Sequence, residues 1–222
     1  MSLPPYTLIR SQRKTISMQV TREAQVLVRA PMHMNTQAIH AFVASHQQWL
    51  EKKLALLCKQ AVCRKAFTFS AGQQLPFLGE WLTITAATQS SAVCAENGRL
   101  LIGAHTADPK QASERFLRAE CARILPQRVR EYAALLGVLP AGISITGAQT
   151  RWGSCSGKNR LCFSWRLICL PPELVDYVAA HECAHLREHN HSARFYALLA
   201  QALPDYRERE KRLREWQALL PF

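Results

Sequence analysis

Residues 171–191 read PPELVDYVAAHECAHLREHNH. Two prolines suited to a helix start precede apolar residues at helical spacing, Leu174, Val175, Val178 and Ala179. Glu173 to Leu186 is therefore expected to be an apolar helix. Inside it lies His181-Glu182-Cys183-Ala184-His185, the pattern H-E-x-x-H. Residues four apart sit one turn apart on one helix face, so both imidazoles can turn to a single metal ion. Glu182 lies next to them around the helix, close enough to take a proton from a water at the metal without being a ligand.

A catalytic zinc site takes three protein ligands and keeps a position open. His189 and His191 both follow. On a continued helix His189 would lie roughly 12 Å along the axis from His181, too far to converge with it. His191, six residues after His185, leaves room for the chain to exit the helix and turn back, with Asn190 suited to a left-handed turn. Position 188 is Glu where the metzincin turn has glycine, and all four methionines lie upstream, which argues against that group. Glu208, Glu210 and Glu215 are alternative third ligands, set among arginines that suit a salt-bridged, solvated helix better.

Working outward, 222 residues with 48% hydrophobic and 20% charged composition describe one large or two small globular domains and exclude disorder and coiled coil. No apolar run is long enough for a membrane helix, and Met1 to Leu8 lacks a signal-like apolar stretch, so a cytoplasmic protein is expected. The net charge of +12 is concentrated in residues 1–65, which hold ten basic and two acidic residues. Contact with a polyanion or nucleotide through this first third is one reading, and a solvated basic surface the other. The eight cysteines include no C-x-x-C pair and read as free thiols; the seven-residue recurrence of Cys155, Cys162 and Cys169 suits alternating strand positions.

Residues 6–30 alternate as antiparallel strands, and a long helix is expected from Asn35 or Thr36 through Leu57. The middle section is richer in β-sheet, with Asn97-Gly98 as a hairpin turn between Ala92-Val93 and Leu100–Ile102. Pro109–Leu136 reads as a helix bent or divided at Pro126 and closed by Gly137. Residues 143–170 read as a hairpin, and two helices, Ser192–Leu203 and Asp205–Leu219, end the chain. The fold class is α+β. A β-rich basic N-terminal region with one long helix (1–105) is expected to precede a metal-binding domain (106–222).

Several segments together resemble the YgjP-like zinc metallopeptidase family: Arg151-Trp152-Gly153-Ser154-Cys155, Phe163-Ser164-Trp165-Arg166-Leu167, Pro171-Pro172-Glu173, Asp176-Tyr177-Val178, His181 to Leu186, Asn190-His191-Ser192 and Phe195. Arg10 to Val20 and Leu203-Pro204-Asp205-Tyr206 extend the likeness over nearly the whole chain. The resemblance implies a small zincin-like domain of gluzincin (minigluzincin) type, related to SprT-like proteases. It implies zinc (Zn2+) on His181, His185 and His191, with Glu182 as general base. Two departures are the missing glycine near Arg22-Glu23-Ala24 and the absence of a SprT-type C-terminal zinc ribbon; the second weakens any link to DNA-crosslink repair.

The expected function is peptide-bond hydrolysis, with a protein or peptide as substrate. Arg151 and Trp152 are candidates for the substrate side, or else a structural ion-pair partner and a core residue. Two alternatives stand beside it: a metal-dependent nucleoside triphosphate pyrophosphatase or phosphohydrolase, which has no Gly-rich phosphate loop in support, and a non-catalytic metal-stabilised binding module, which has no need of Glu182.

Overall fold

The computed structural model describes residues 4–21, 23–87 and 93–221, with residues 59–66 as backbone only. Met1, Arg22 and Ala92, and the side chains of Lys59 and Cys63, lie outside that description. The described residues are a mixture of α and β: six α-helices and three small sheets. They form two compact units, one running through Phe67 with Pro221 added, the other spanning Thr68–Leu220.

In the first unit, strands β1 (Tyr6–Ser11), β2 (Ser17–Val20) and β3 (Val26–Pro31) form a sheet of order β1-β3-β2. The β2–β3 pair is antiparallel as expected, but β1 runs parallel to β3, with Tyr6 opposite Val26 and Leu8 opposite Val28. Val26, Val28 and Ala30 share one strand face and are buried with Ile39, Val43 and Leu50. Those three come from two helices rather than one. α1 (Thr36–Ser45) is capped by Asn35, whose Oδ1 accepts from Gln37 N at 2.8 Å, and stops at His46 (φ −110°, ψ 12°) before α2 (Gln47–Ala66) begins. Part of the basic character of this unit is spent internally. Arg10 Nη1 donates to the carbonyls of Pro31, Met32 and Met34 at 2.7–3.3 Å, and Arg29 donates to Gln19 at 2.8 Å.

The second unit begins with β4 (Gln74–Phe77), β5 (Glu80–Ala87), β6 (Cys94–Glu96) and β7 (Arg99–Gly103), in the order β4-β5-β7-β6. Asn97 and Gly98, both at positive φ (49° and 72°), make the expected tight turn. This sheet falls in the same unit as the helices that follow it, whereas the sequence places it with the N-terminal region. One tie is short: Leu78 N, in the β4–β5 turn, donates to Ile168 O at 2.7 Å.

α3 (Pro109–Leu136) is a single helix through Pro126, because its buried stripe of Leu117, Cys121, Leu125, Val129 and Ala133 recurs every four residues and Pro126 stands off that stripe. Asp108 caps its start and left-handed Gly137 its end. The segment expected as a hairpin is a three-stranded sheet, β8 (Gly142–Thr146), β9 (Gly153–Cys155) and β10 (Arg160–Ser164), in the order β8-β10-β9. β10 pairs parallel with β8 and antiparallel with β9. The expected strand to Leu170 ends at Ser164, whose side chain caps a 3₁₀ turn over Trp165–Cys169. α4 (Pro172–Ala184), α5 (Ala193–Ala202) and α6 (Tyr206–Leu219) complete the unit.

Seven cysteines are free among the described residues. Burial pushes the thiols of Cys121 and Cys183 up to about 12, which keeps them protonated and inert at neutral pH. No helix among the described residues is long and apolar enough to cross a membrane.

Candidate metal centre

α4, the helix that contains His181 and Glu182, is buried almost all round. Leu174, Val175, Tyr177, Val178, Ala179, Ala180, Cys183 and Ala184 are all covered, against α3, α5, α6 and β9. The helix ends at Ala184, two residues earlier than the sequence suggests, and His185 is its C-cap. The chain then reverses through Arg187 N and Glu188 N, both bonded to Ala184 O at 3.0–3.1 Å. Asn190 does not adopt a left-handed conformation, contrary to the sequence reading. The return is set instead by Ser192, whose Oγ accepts from Phe195 N at 3.3 Å and starts α5.

This turn brings His181, His185 and His191 together. One ring nitrogen from each lies within 4.8 Å of the other two, and His181 Nε2 and His191 Nε2 are 3.1 Å apart. Three nitrogens binding one zinc at about 2.0–2.1 Å would sit about 3.4 Å from one another, so the trio fits that ion with small side-chain movements. His185 Nδ1 lies 2.9 Å from Glu188 O. Donation of its proton to that carbonyl leaves Nε2 with the lone pair a metal needs. Burial, then the charges of His185 and His191, lowers the His181 pKa to about 3, so its imidazole is neutral at physiological pH. His189, Glu208, Glu210 and Glu215 are not members of the cluster. Glu210 is ion-paired with Arg214 instead.

Two contributors have no metal-motif signature in the sequence. Phe195, fully buried, lies against all three imidazoles, with ring centroids at 4.9, 4.5 and 4.7 Å from those of His181, His185 and His191. It gives the cluster an apolar wall. Tyr196 stacks on the opposite neighbours, His191 at 6.2 Å and Tyr206 at 5.8 Å, and stays exposed.

Glu182 is 5% exposed, and its Oε2 is buried without a hydrogen-bond partner. Burial raises its pKa to about 7, against the opposing pull of the Arg151 guanidinium. A carboxyl held near neutrality can both accept and return a proton. Gly153 of β9 is the second contributor that the motif does not announce. A β-carbon there would lie 2.6 Å from Glu182 Cγ and Oε1, so the strand backbone rests directly on the carboxylate. A glycine inside a strand pattern is the available signal of such an approach. Arg151 is exposed and acts on Glu182 through its charge; Trp152 is half-buried, and its carbonyl accepts from Ser164 N at 2.8 Å.

No curated protein matches the chain. Among solved structures, the metallopeptidase zymogen of Pyrococcus abyssi abylysin is similar at 21% identity, over 40% of this chain and 91% of that one, with a TM-score of 0.38. The model of the YgjP-like metallopeptidase domain matches residues 14–216, nearly the full length, and on that match the chain belongs to the YgjP-like metallopeptidase family.

Proposed function

We propose that this chain is a zinc-dependent peptidase in which His181, His185 and His191 hold the metal and Glu182 is the general base. The observation that carries this reading is the convergence of three imidazole nitrogens at a helix whose next residue after His181, Glu182, is buried with its Oε2 lacking a hydrogen-bond partner. A zinc ion held there would act as a Lewis acid on the scissile carbonyl and lower the pKa of an attacking water towards roughly 7. Glu182 takes the proton of that water and returns it to the departing amine. Its dry surroundings keep the carboxyl from being levelled by solvent.

The ligand assignment makes a direct prediction. His191→Ala should bind zinc far more weakly than wild type, because it removes the nitrogen 3.1 Å from that of His181. His189→Ala should keep wild-type occupancy, since His189 is exposed and outside the cluster. Metal analysis of the two variants after dialysis reads this out; equal occupancy would move the third ligand elsewhere.

The peptide is taken to enter along β9. Trp152 O and Ser156 N bond to Ser164 N and Arg160 O of the β10 side, at 2.8 and 2.9 Å. Antiparallel alternation then turns the N–H and C=O groups of Gly153 and Cys155 to the other edge, which no strand occupies among the described residues. An extended peptide laid there would pair with these groups, with Arg151 and Trp152 at the head of the strand beside it. Cys155→Pro removes one outward donor and leaves the β10 ladder intact. It should raise KM for a peptide roughly tenfold at near-normal zinc content, whereas an unchanged KM would remove the edge from the account.

A further inference from the structure

Ser164 and Arg166 are among the few buried polar residues in the described part of the chain, and the side chain of each donates to backbone carbonyls of one loop. That loop, residues 147–152, leaves the end of β8 and returns as β9, so its course determines where Gly153 lies. Ser164 closes β10 between the two strand ends. Its Oγ donates to Ala148 O at 2.6 Å and its backbone N to Trp152 O at 2.8 Å, which ties down the loop near both ends. The same Oγ accepts from Arg166 N at 3.4 Å. Arg166 Nη1 reaches the carbonyls of Gly147 at 3.1 Å and Ala148 at 3.5 Å, while its guanidinium lies 4.4 Å from the Trp165 ring centroid. A buried cation held by carbonyl groups and an aromatic face is costly to desolvate, and its hydrogen bonds are correspondingly hard to exchange for others.

From these contacts we infer that Ser164 and Arg166 are positioning residues for the reaction: they clamp the 147–152 loop and so hold the Gly153 backbone against the Glu182 carboxylate. The inference rests on the reading of Glu182 as the base. Neither residue touches the histidine cluster through any of these bonds, so the clamp should act on the carboxylate and leave metal binding alone. Small displacements of a reacting group cost rate steeply, on the order of 100-fold for 1 Å.

The test compares Ser164→Ala, Arg166→Met and Arg166→Lys with wild type and with Glu182→Gln. Each is assayed for kcat and KM on an unfolded protein substrate, for zinc content, and for amide hydrogen exchange in the metal-free form. Ser164→Ala should lower kcat about tenfold and Arg166→Met about 30-fold or more, with zinc content unchanged. Amides in 147–155 should exchange roughly tenfold faster while those of α4 keep their protection. Arg166→Lys retains a donor for the two carbonyls and should recover most of the activity that Arg166→Met loses. Wild-type kcat and exchange in Ser164→Ala and Arg166→Met, with Glu182→Gln inactive, would overturn the clamp alone. Loss of zinc or of α4 protection in step with activity would also overturn it, by making the pair a general support of the fold. Full activity in Glu182→Gln would instead remove the base, and the catalytic role of the clamp with it.

Discussion

Replacement of Glu182 by glutamine should lower hydrolysis of an unfolded protein by about 100-fold or more while zinc content stays at the wild-type level. Glutamine keeps the shape that fits beneath Gly153 but cannot accept the proton. The three imidazoles remain, and metal binding follows its ligands. The same substitution has a second readout in the metal-free protein. Glu182 is raised from 4.5 to about 7 by burial, so between those values the folded state holds a proton that the unfolded state has released. Stability from this group is therefore fully present below pH 4.5 and is lost as pH rises through 7, by on the order of 3 kcal/mol. His181, lowered from 6.5 to about 3, works in the opposite sense, losing stability as pH falls from 6.5 towards 3, but it does so equally in both proteins. Urea unfolding after chelation should then show the stability of wild type falling relative to Glu182→Gln between pH 5 and 8. A constant difference would mean that Glu182 is ionised normally, and loss of zinc in the variant would mean that Glu182 holds the ion or its ligands.

Gly153→Ala should be nearly as damaging from outside the helix. The added β-carbon would meet Glu182 at 2.6 Å from Cγ and Oε1 and 2.8 Å from Cδ, closer than nonbonded atoms come. Either β9 lifts or the carboxylate swings away. Overpacking of this kind costs about 1–3 kcal/mol, equivalent to roughly 2–12 °C in Tm for a chain of this size. The larger effect is on rate: a displaced base should reduce kcat about 100-fold with zinc retained. Gly157→Ala is the control, because nothing lies within 4 Å of its added carbon. Near-normal kcat in Gly153→Ala would show that the carboxylate has room to work from another position.

The meeting of His181, His185 and His191 was legible because it depends on local geometry: two histidines four apart on an apolar helix, and a third within reach of a short return. Asn97-Gly98 and Gly137 were legible for the same reason, since each needs a backbone conformation that few residues supply. The rest was decided by contacts distant in sequence. Whether β1 lies parallel or antiparallel to β3 leaves its alternating pattern unchanged, so periodicity cannot choose. His46 interrupts a helix whose apolar spacing continues across it. The burial of Ser164 and Arg166 depends on the carbonyls that the 147–152 loop offers to their donors, which no local pattern records. The meeting of Gly153 and Glu182 joins residues from different elements, and glycine carries no chemistry of its own to announce it.

Peptide-bond hydrolysis at the histidine cluster is tested by incubating the purified chain with an unfolded protein and, in parallel, with nucleoside triphosphates, each as purified, after chelation and after zinc is restored. The expected result is about one zinc per chain, with new peptide termini that disappear on chelation and return with zinc. Release of phosphate or pyrophosphate from the nucleotides, with the protein substrate left intact under every condition, would contradict it.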